Sequence, residues 1–434
     1  MFRILEAQRR ACGAGRGTPL VAVLVAAAAL CWAAAVCAAW DIIDHSVIFD
    51  DVGNVNSSAV RSCADGEGGM IVAMVDANAF PRVWLSRLDH TGTKLWGDQG
   101  TAIPWSIGAD DQLVPMDVAP DGSGGAYCAF MESWPSGNYI VMTHVTAAGV
   151  FDWKTYVSGC GTPTDMMYPD IVLEATEDGG VIVGWLNAVL SDEKVVVAKV
   201  DASGALLWLT PIEPGVHTVF LTVTWRMVPD GQGGVLVSCW DYPYPAPYRT
   251  YVQRVSGAGT LLWGANGTTL DPTYFYGIRP IAQDGSGGAW VGQRDAGADE
   301  IRIQHIDAAG SPTLAGGGVA ALPYSYAEPV LCEDGGGGVF IVTAYDGGDS
   351  GDDLAGQHVD AAGGLAWGTS GITIADLPGR QMDPHICHDG FGGLIVGWVD
   401  WFWVETGAEI NRLPSGKRLD AFGTVLWDRA PLWW

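Results

Sequence analysis

The chain has 434 residues, 48% hydrophobic and only 16% charged, with 60 glycines, 23 prolines and 20 tryptophans. Such a composition excludes a disordered tail and a coiled coil, because charges are too few and twenty indoles need a packed interior. With 49 acidic against 22 basic residues and a net charge of −27, the chain repels phosphate backbones and anionic lipid, so no nucleic-acid partner is expected.

The first element in chain order is residues 1–39. Arg3, Arg9, Arg10 and Arg16 precede an uncharged stretch from Gly17 to Trp40, whose apolar run Leu20–Ala39 ends on the small residues Ala38 and Ala39. This is the layout of a secretory signal peptide. An uncleaved anchor is the alternative, since the run is long enough to span a bilayer, and only then is the membrane a partner. The chain is therefore expected to be secreted, periplasmic or on the cell surface, with residues 40–434 forming one domain.

From there the sequence repeats. Gly-Gly pairs recur seven times, from Gly68-Gly69 to Gly392-Gly393, at intervals of 50 to 56 residues. Six copies read Asp-Gly-x-Gly-Gly, beginning at Asp65, Asp121, Asp230, Asp284, Asp334 and Asp389, while the third reads Thr176-Glu177-Asp178-Gly179-Gly180. A short apolar run before Asp-Gly, often opened by proline as in Pro329-Val-Leu-Cys-Glu, suits a first strand. Val235-Leu-Val-Ser-Cys and its counterparts after Gly-Gly suit a second, with glycine supplying the positive φ of the hairpin between them. A third strand, such as Thr250–Val255, leads into Asp-x-x-Gly, and a fourth closes on Trp96, Trp153, Trp208, Trp263, Trp367 or Trp427; the fifth copy offers Leu314 instead.

Four antiparallel strands per copy, seven times, predict an all-β fold, a seven-bladed β-propeller of four-stranded antiparallel blades. The recurring tryptophan is expected to fill the gap between adjacent blades, a burial that one copy alone cannot achieve. The ring is expected to close on itself as a monomer, with Val47-Ile-Phe-Asp50 available to pair with the last copy.

Asp89-His-Thr-Gly-Thr-Lys-Leu-Trp96 and Asp201-Ala-Ser-Gly-Ala-Leu-Leu-Trp208 resemble the tryptophan-docking repeat of pyrroloquinoline-quinone-type propellers. The whole unit is similar to the repeats of secreted bacterial propeller proteins, over about residues 57–427. The quinone enzymes use adjacent cysteines and a calcium site around their cofactor. No Cys-Cys pair exists here, so the resemblance implies the scaffold without the cofactor.

Beyond the leader, Cys63, Cys128, Cys160, Cys239, Cys332 and Cys387 read as small buried apolar residues, too sparse for a disulfide framework. No Cys/His spacing indicates zinc, and His385-Ile-Cys387-His388 falls inside a strand pattern. Asp346, Asp349, Asp352 and Asp353 form the one local acidic cluster. It is a weak calcium candidate without the spacing of an EF-hand, and no other cofactor is expected.

Two recurring sets read as structural. Asp76, Glu132, Asp241, Asp295 and Asp400 stand eleven residues after the repeat's leading aspartate, and suit strand-end capping. Arg87, His144, Lys199, Arg254, His305, His358 and Arg418 precede the third turn in all seven copies, and suit an ion pair or hydrogen bond to an acid on the neighbouring strand. Binding is expected on the face whose segments differ in every copy, through Trp105, Trp134, Tyr168, Tyr242, Tyr244, Tyr274, Tyr276, Trp401 and Trp403, aromatics suited to a glycan or protein ligand. The reading favours a non-enzymatic binding or structural module. Its alternative is a polysaccharide-acting hydrolase or lyase using rim carboxylates, favoured by two rim acids with separated titrations, one of them raised.

Overall fold

The computed structural model describes residues 57–76, 82–104, 116–134, 137–159, 171–189, 192–213, 225–241, 249–270, 280–295, 298, 300–323, 329–347, 351–403 and 410–429. Residues 1–39 and Val47–Asp50 lie outside these. Among the described residues no helix is long and apolar enough to cross a membrane.

Each copy of the repeat folds as one four-stranded antiparallel sheet with its strands in sequence order, so seven sheets form a seven-bladed β-propeller. The first strands are β1 (Ser57–Ala64), β5 (Met116–Pro120), β9 (Ile171–Ala175), β13 (Trp225–Pro229), β17 (Ile281–Gln283), β21 (Val330–Glu333) and β25 (Arg380–His388). From β1 to β25, successive first strands touch one another, which places them around the axis. The seventh blade takes all four strands from its own copy: β25, β26 (Leu394–Trp403), β27 (Ile410–Leu419) and β28 (Val425–Arg429).

The core lies between blades rather than within them. Separate apolar clusters fill the six interfaces from blades I/II to VI/VII; the I/II cluster joins Ile71, Leu85 and Trp96 to Val118 and Phe130. The repeated indole bridges these interfaces as the sequence predicts. Trp96 Nε1 donates to Ala147 O at 3.0 Å, Trp153 to Ala202 O at 3.0 Å, Trp208 to Gly257 O at 2.9 Å, Trp263 to Ala308 O at 3.1 Å and Trp367 to Ala421 O at 2.9 Å. Each acceptor belongs to the Asp-x-x-Gly turn, or its Thr or Ser variant, in the following blade. Gly149 of one such turn has φ +73°, and a Cβ there would lie 2.7 Å from Trp96 Cγ, so the turn needs glycine for both its conformation and its clearance. In blade V Leu314 takes the indole's place, covering Gly363 of blade VI. Trp427 departs from the pattern. Its side chain is 41% exposed where Trp96 is 7%, and no core cluster joins blade VII to blade I among the described residues.

The fourth strand ends on tryptophan in no blade. In blades II, III and VII it runs through the indole, as in β8 (Phe151–Gly159) and β12 (Leu206–Ile212). In blades I, IV and VI, Trp-Gly-x-x-Gly inserts a turn with φ of +78° at Gly97 and +70° at Gly100, and the strand begins beyond it, at Thr101, Thr268 and Ile372. Cys128 and Cys239 are buried as expected and Cys63 and Cys332 half-buried, but Cys387 is exposed; these five are free thiols, and Cys160 lies outside the described residues.

The conserved geometry of the turns follows from the leading aspartate. In blade I, Asp65 Oδ1 accepts the N–H groups of Glu67 and Gly69, while Oδ2 accepts from Arg87 Nε at 2.9 Å. The same pairing joins His144 to Asp121, Lys199 to Asp178, Arg254 to Asp230, His305 to Asp284, His358 to Asp334 and Arg418 to Asp389. All seven recurring basic side chains therefore staple the first hairpin to the third strand.

Candidate functional site

Structural pairing disposes of the recurring polar groups, so chemistry has to be sought where the repeat is broken. The first strands give the clearest break. At the fourth residue before the leading Asp/Thr position, the seven blades carry Arg61, Asp117, Val172, Arg226, Pro280, Val330 and His385; two residues later stand Cys63, Ala119, Glu174, Val228, Ala282, Cys332 and Cys387. Equal repeat positions stand at equal heights along the axis. Arg61, Asp117, Glu174, Arg226 and His385 thus form an irregular set of ionisable groups on strands that line the channel.

Three of them interact on adjacent blades. Asp117 reaches from blade II to blade III, where its Oδ2 accepts the N–H of Leu173 at 2.8 Å, and its Oδ1 accepts from Val118 at 2.9 Å. Burial raises the Asp117 carboxyl above its ordinary range, against these hydrogen bonds and the charge of Arg61. Glu174, next in chain to Leu173, is pushed up to about 8, first by burial and then by the negative charge of Asp117. These carboxyls titrate as an interacting pair, the upper step belonging mainly to Glu174. At neutral pH the arrangement offers a protonated acid beside a carboxyl that ionises first.

The channel widens into a cavity of about 850 Å³ along blades IV to VII, walled by Arg226, Pro280, Pro329, Leu331, Asp352, Asp383 and His385. β25 is bulged between Met382 and His385, and within the bulge Asp383 adopts φ +53°, the one left-handed non-glycine residue among those described. A bulge of this kind re-aims side chains; Asp383 and His385 are both exposed.

The expected binding face is largely outside the described residues. Trp105, Tyr168, Tyr242, Tyr244, Tyr274 and Tyr276 fall there, while Trp134 and Trp403 are placed only as backbone in β6 (Ala126–Trp134) and β26. Trp401 is half-buried in β26. The recurring acids are strand-end groups where described: Glu132 pairs with Lys154 and accepts from Tyr156 Oη at 2.8 Å, and Asp400 accepts from Trp398 Nε1 at 2.9 Å and from Ser415 Oγ. Of the calcium candidates, Asp349 is outside the described residues. Asp352 is bound by Arg380 at 2.6 Å, and Asp353 is pushed up to about 6 by burial and by Asp376, Asp352 and Asp346. Among the described residues no three His, Cys, Asp or Glu side chains form a ready metal-ligand set.

No protein-family model matches the chain, and no curated protein matches it in sequence. Solved structures do match. The polysaccharide lyase Uly1 aligns over 87% of this chain and 93% of its own, at 10% identity and a TM-score of 0.48. An ulvan lyase of a new polysaccharide lyase family, bound to -[GlcA(1-4)Rha3S]-, aligns over 85% and 92%, at 10% identity and 0.46. The acylaminoacyl peptidase of Pyrococcus horikoshii aligns over 84% of this chain and 58% of its own, at 12% identity and 0.41. Such identities speak for architecture, and one architecture serves many chemistries. The expectation of a non-enzymatic module is nonetheless corrected. The similar structures include polysaccharide lyases, and two raised carboxyls, Asp117 and Glu174, are present, although on the first strands and not on the rim where the enzymatic alternative sets its acids.

Proposed function

We propose that the chain is a polysaccharide-cleaving enzyme, a hydrolase or a lyase, working in the central channel with Glu174 as general acid and Asp117 as general base. The observation that carries this reading is the break in sevenfold order on the first strands, where Asp117 and Glu174 stand on adjacent blades with both carboxyls raised. Cleaving a glycosidic bond needs a proton for the departing oxygen and a base for either water or a ring proton. Glu174, protonated up to about pH 8, supplies the first, and Asp117 accepts the second. Arg61 beside Asp117 limits how far its carboxyl rises, and Arg226 in the cavity wall offers donors to sugar oxygens.

The test is incubation of the full chain with neutral and acidic polysaccharides, reading new reducing ends and the ultraviolet absorbance of an unsaturated sugar. Cleavage is expected, lost by ~100-fold or more in Glu174→Gln and Asp117→Asn, and absorbance separates elimination from hydrolysis. Cleavage untouched by both substitutions would remove these residues from the chemistry. A panel left uncleaved would defeat the enzymatic reading.

A further inference from the structure

We propose that the cavity along blades IV to VII binds a short apolar peptide with free ends, its carboxylate held by Arg226 and its ammonium by Asp383. The cavity measures about 850 Å³, the size of a site for a small ligand. Its charges are set apart. Arg226 stands on β13 of blade IV, where its Nη1 donates to Trp225 O at 2.9 Å, a bond that fixes the direction of the guanidinium. Asp383 stands three blades further on, in β25 of blade VII. The wall between them is apolar, with Pro280 and Ile281 from blade V and Pro329, Val330 and Leu331 from blade VI. Prolines bring no N–H groups to such a wall, which suits it to alkyl side chains.

Asp383 is singled out by its backbone. It sits in the bulge between Met382 and His385 and holds φ +53° immediately before Pro384, a conformation that costs a non-glycine residue energy and recurs where ligands are clamped. Its side chain is exposed, and among the described residues it enters no ion pair. The other acid of the wall, Asp352, is held by Arg380. The cavity thus presents a guanidinium at one end, alkyl groups along its length and a carboxylate at the other end. A ligand complementary to that order carries an anion and a cation at opposite ends of an apolar body, as a peptide of apolar residues does. A single amino acid bears both charges on one carbon and does not bridge three blades. The acid pair of the cleavage reading stands on blades II and III, so a failure to bind peptide says nothing against cleavage, nor the reverse.

Calorimetric titration of the full chain with the tripeptide Ala-Val-Leu, its N-acetyl form and its C-terminal amide tests both ends. One saturable event is expected for the free peptide, weakened on the order of 10-fold by either block. Asp383→Asn should weaken the free peptide to the same degree and make acetylation immaterial; Arg226→Gln should do so for amidation. Asp420→Asn, on an exposed turn, should change nothing. Asparagine tolerates the left-handed backbone at position 383, so that variant keeps its fold. Should Arg226→Gln fail to fold, Asp383→Asn and the two blocked peptides decide the matter. No saturable binding of the free peptide, or blocked peptides that bind the parent as tightly, would overturn the proposal.

Discussion

Glu174 carries a testable signature in stability as well as in chemistry. Its folded value, raised to about 8 by burial and Asp117, exceeds the ~4.3 of a free glutamate. The folded chain therefore holds this proton more tightly than the unfolded one. That contribution is complete below ~4.3 and disappears as pH rises through about 8. Glu174→Gln, permanently neutral, should match the parent near about pH 4 and exceed it at about pH 9 by several kcal/mol. Denaturant unfolding at the two pH values measures this, and equal stability at the higher pH would show that the carboxyl is not held protonated. The residue was visible in the sequence only as a departure. The third copy lacks the leading aspartate and carries Glu174 where the others carry cysteine, alanine or valine. Recurring acids and loop aromatics are the more conspicuous pattern, but recurrence marks structure: Glu132 and Asp400 are tied up by Lys154, Tyr156, Trp398 and Ser415.

At the scale of the blade, the legible part was whatever each copy must do for its neighbour. A four-stranded sheet with an apolar side cannot shelter an indole alone, so the tryptophan and the glycine turn that receives it recur together. The seven Asp pairings recur because the turn needs an acceptor for its N–H groups, and that carboxylate's second oxygen takes a donor from the third strand. Less legible was the start of the fourth strand, which depends on whether Trp-Gly-x-x-Gly follows, as at Trp96, or an uninterrupted strand, as at Trp153. Thr101, Thr155, Thr210 and Thr268 carry no sequence motif, although each hydroxyl donates to a carbonyl of the next blade's turn at 2.6 or 2.7 Å. Equal roles and unequal burial separate two tryptophans. Trp263→Ala, emptying a site 7% exposed, should cost about 3–5 kcal/mol. Trp427→Ala, at a site 41% exposed, should cost less than ~1 kcal/mol. Equal losses in chemical denaturation would mean that blade VII is sealed as tightly as the others.

The same inequality has a consequence for the ring. Each interface from I/II to VI/VII is closed by an apolar cluster, and each adds an indole bond across the gap; at V/VI, where Leu314 stands in the repeat position, Trp290 Nε1 donates to Gly337 O at 2.9 Å. Between VII and I the described residues show neither feature, and Val425, Leu426 and Trp427 are exposed on β28. Cooperative units open first where buried apolar contact is least. Opening should therefore begin at this seam and spread inward, leaving the blades opposite it for last. Amide exchange offers the measurement: β27 and β28 should exchange well before β6 and β7 (Gly137–Val145), whose residues Phe130, Val141 and Met142 are fully buried. Slower exchange in blade VII than in blade II would show the seam to be as firmly closed as any other junction. The acid pair stands on blades II and III, away from blade VII at the seam, so exchange at Asp117 and Glu174 should follow the slow group and the site should stay assembled while the ring breathes.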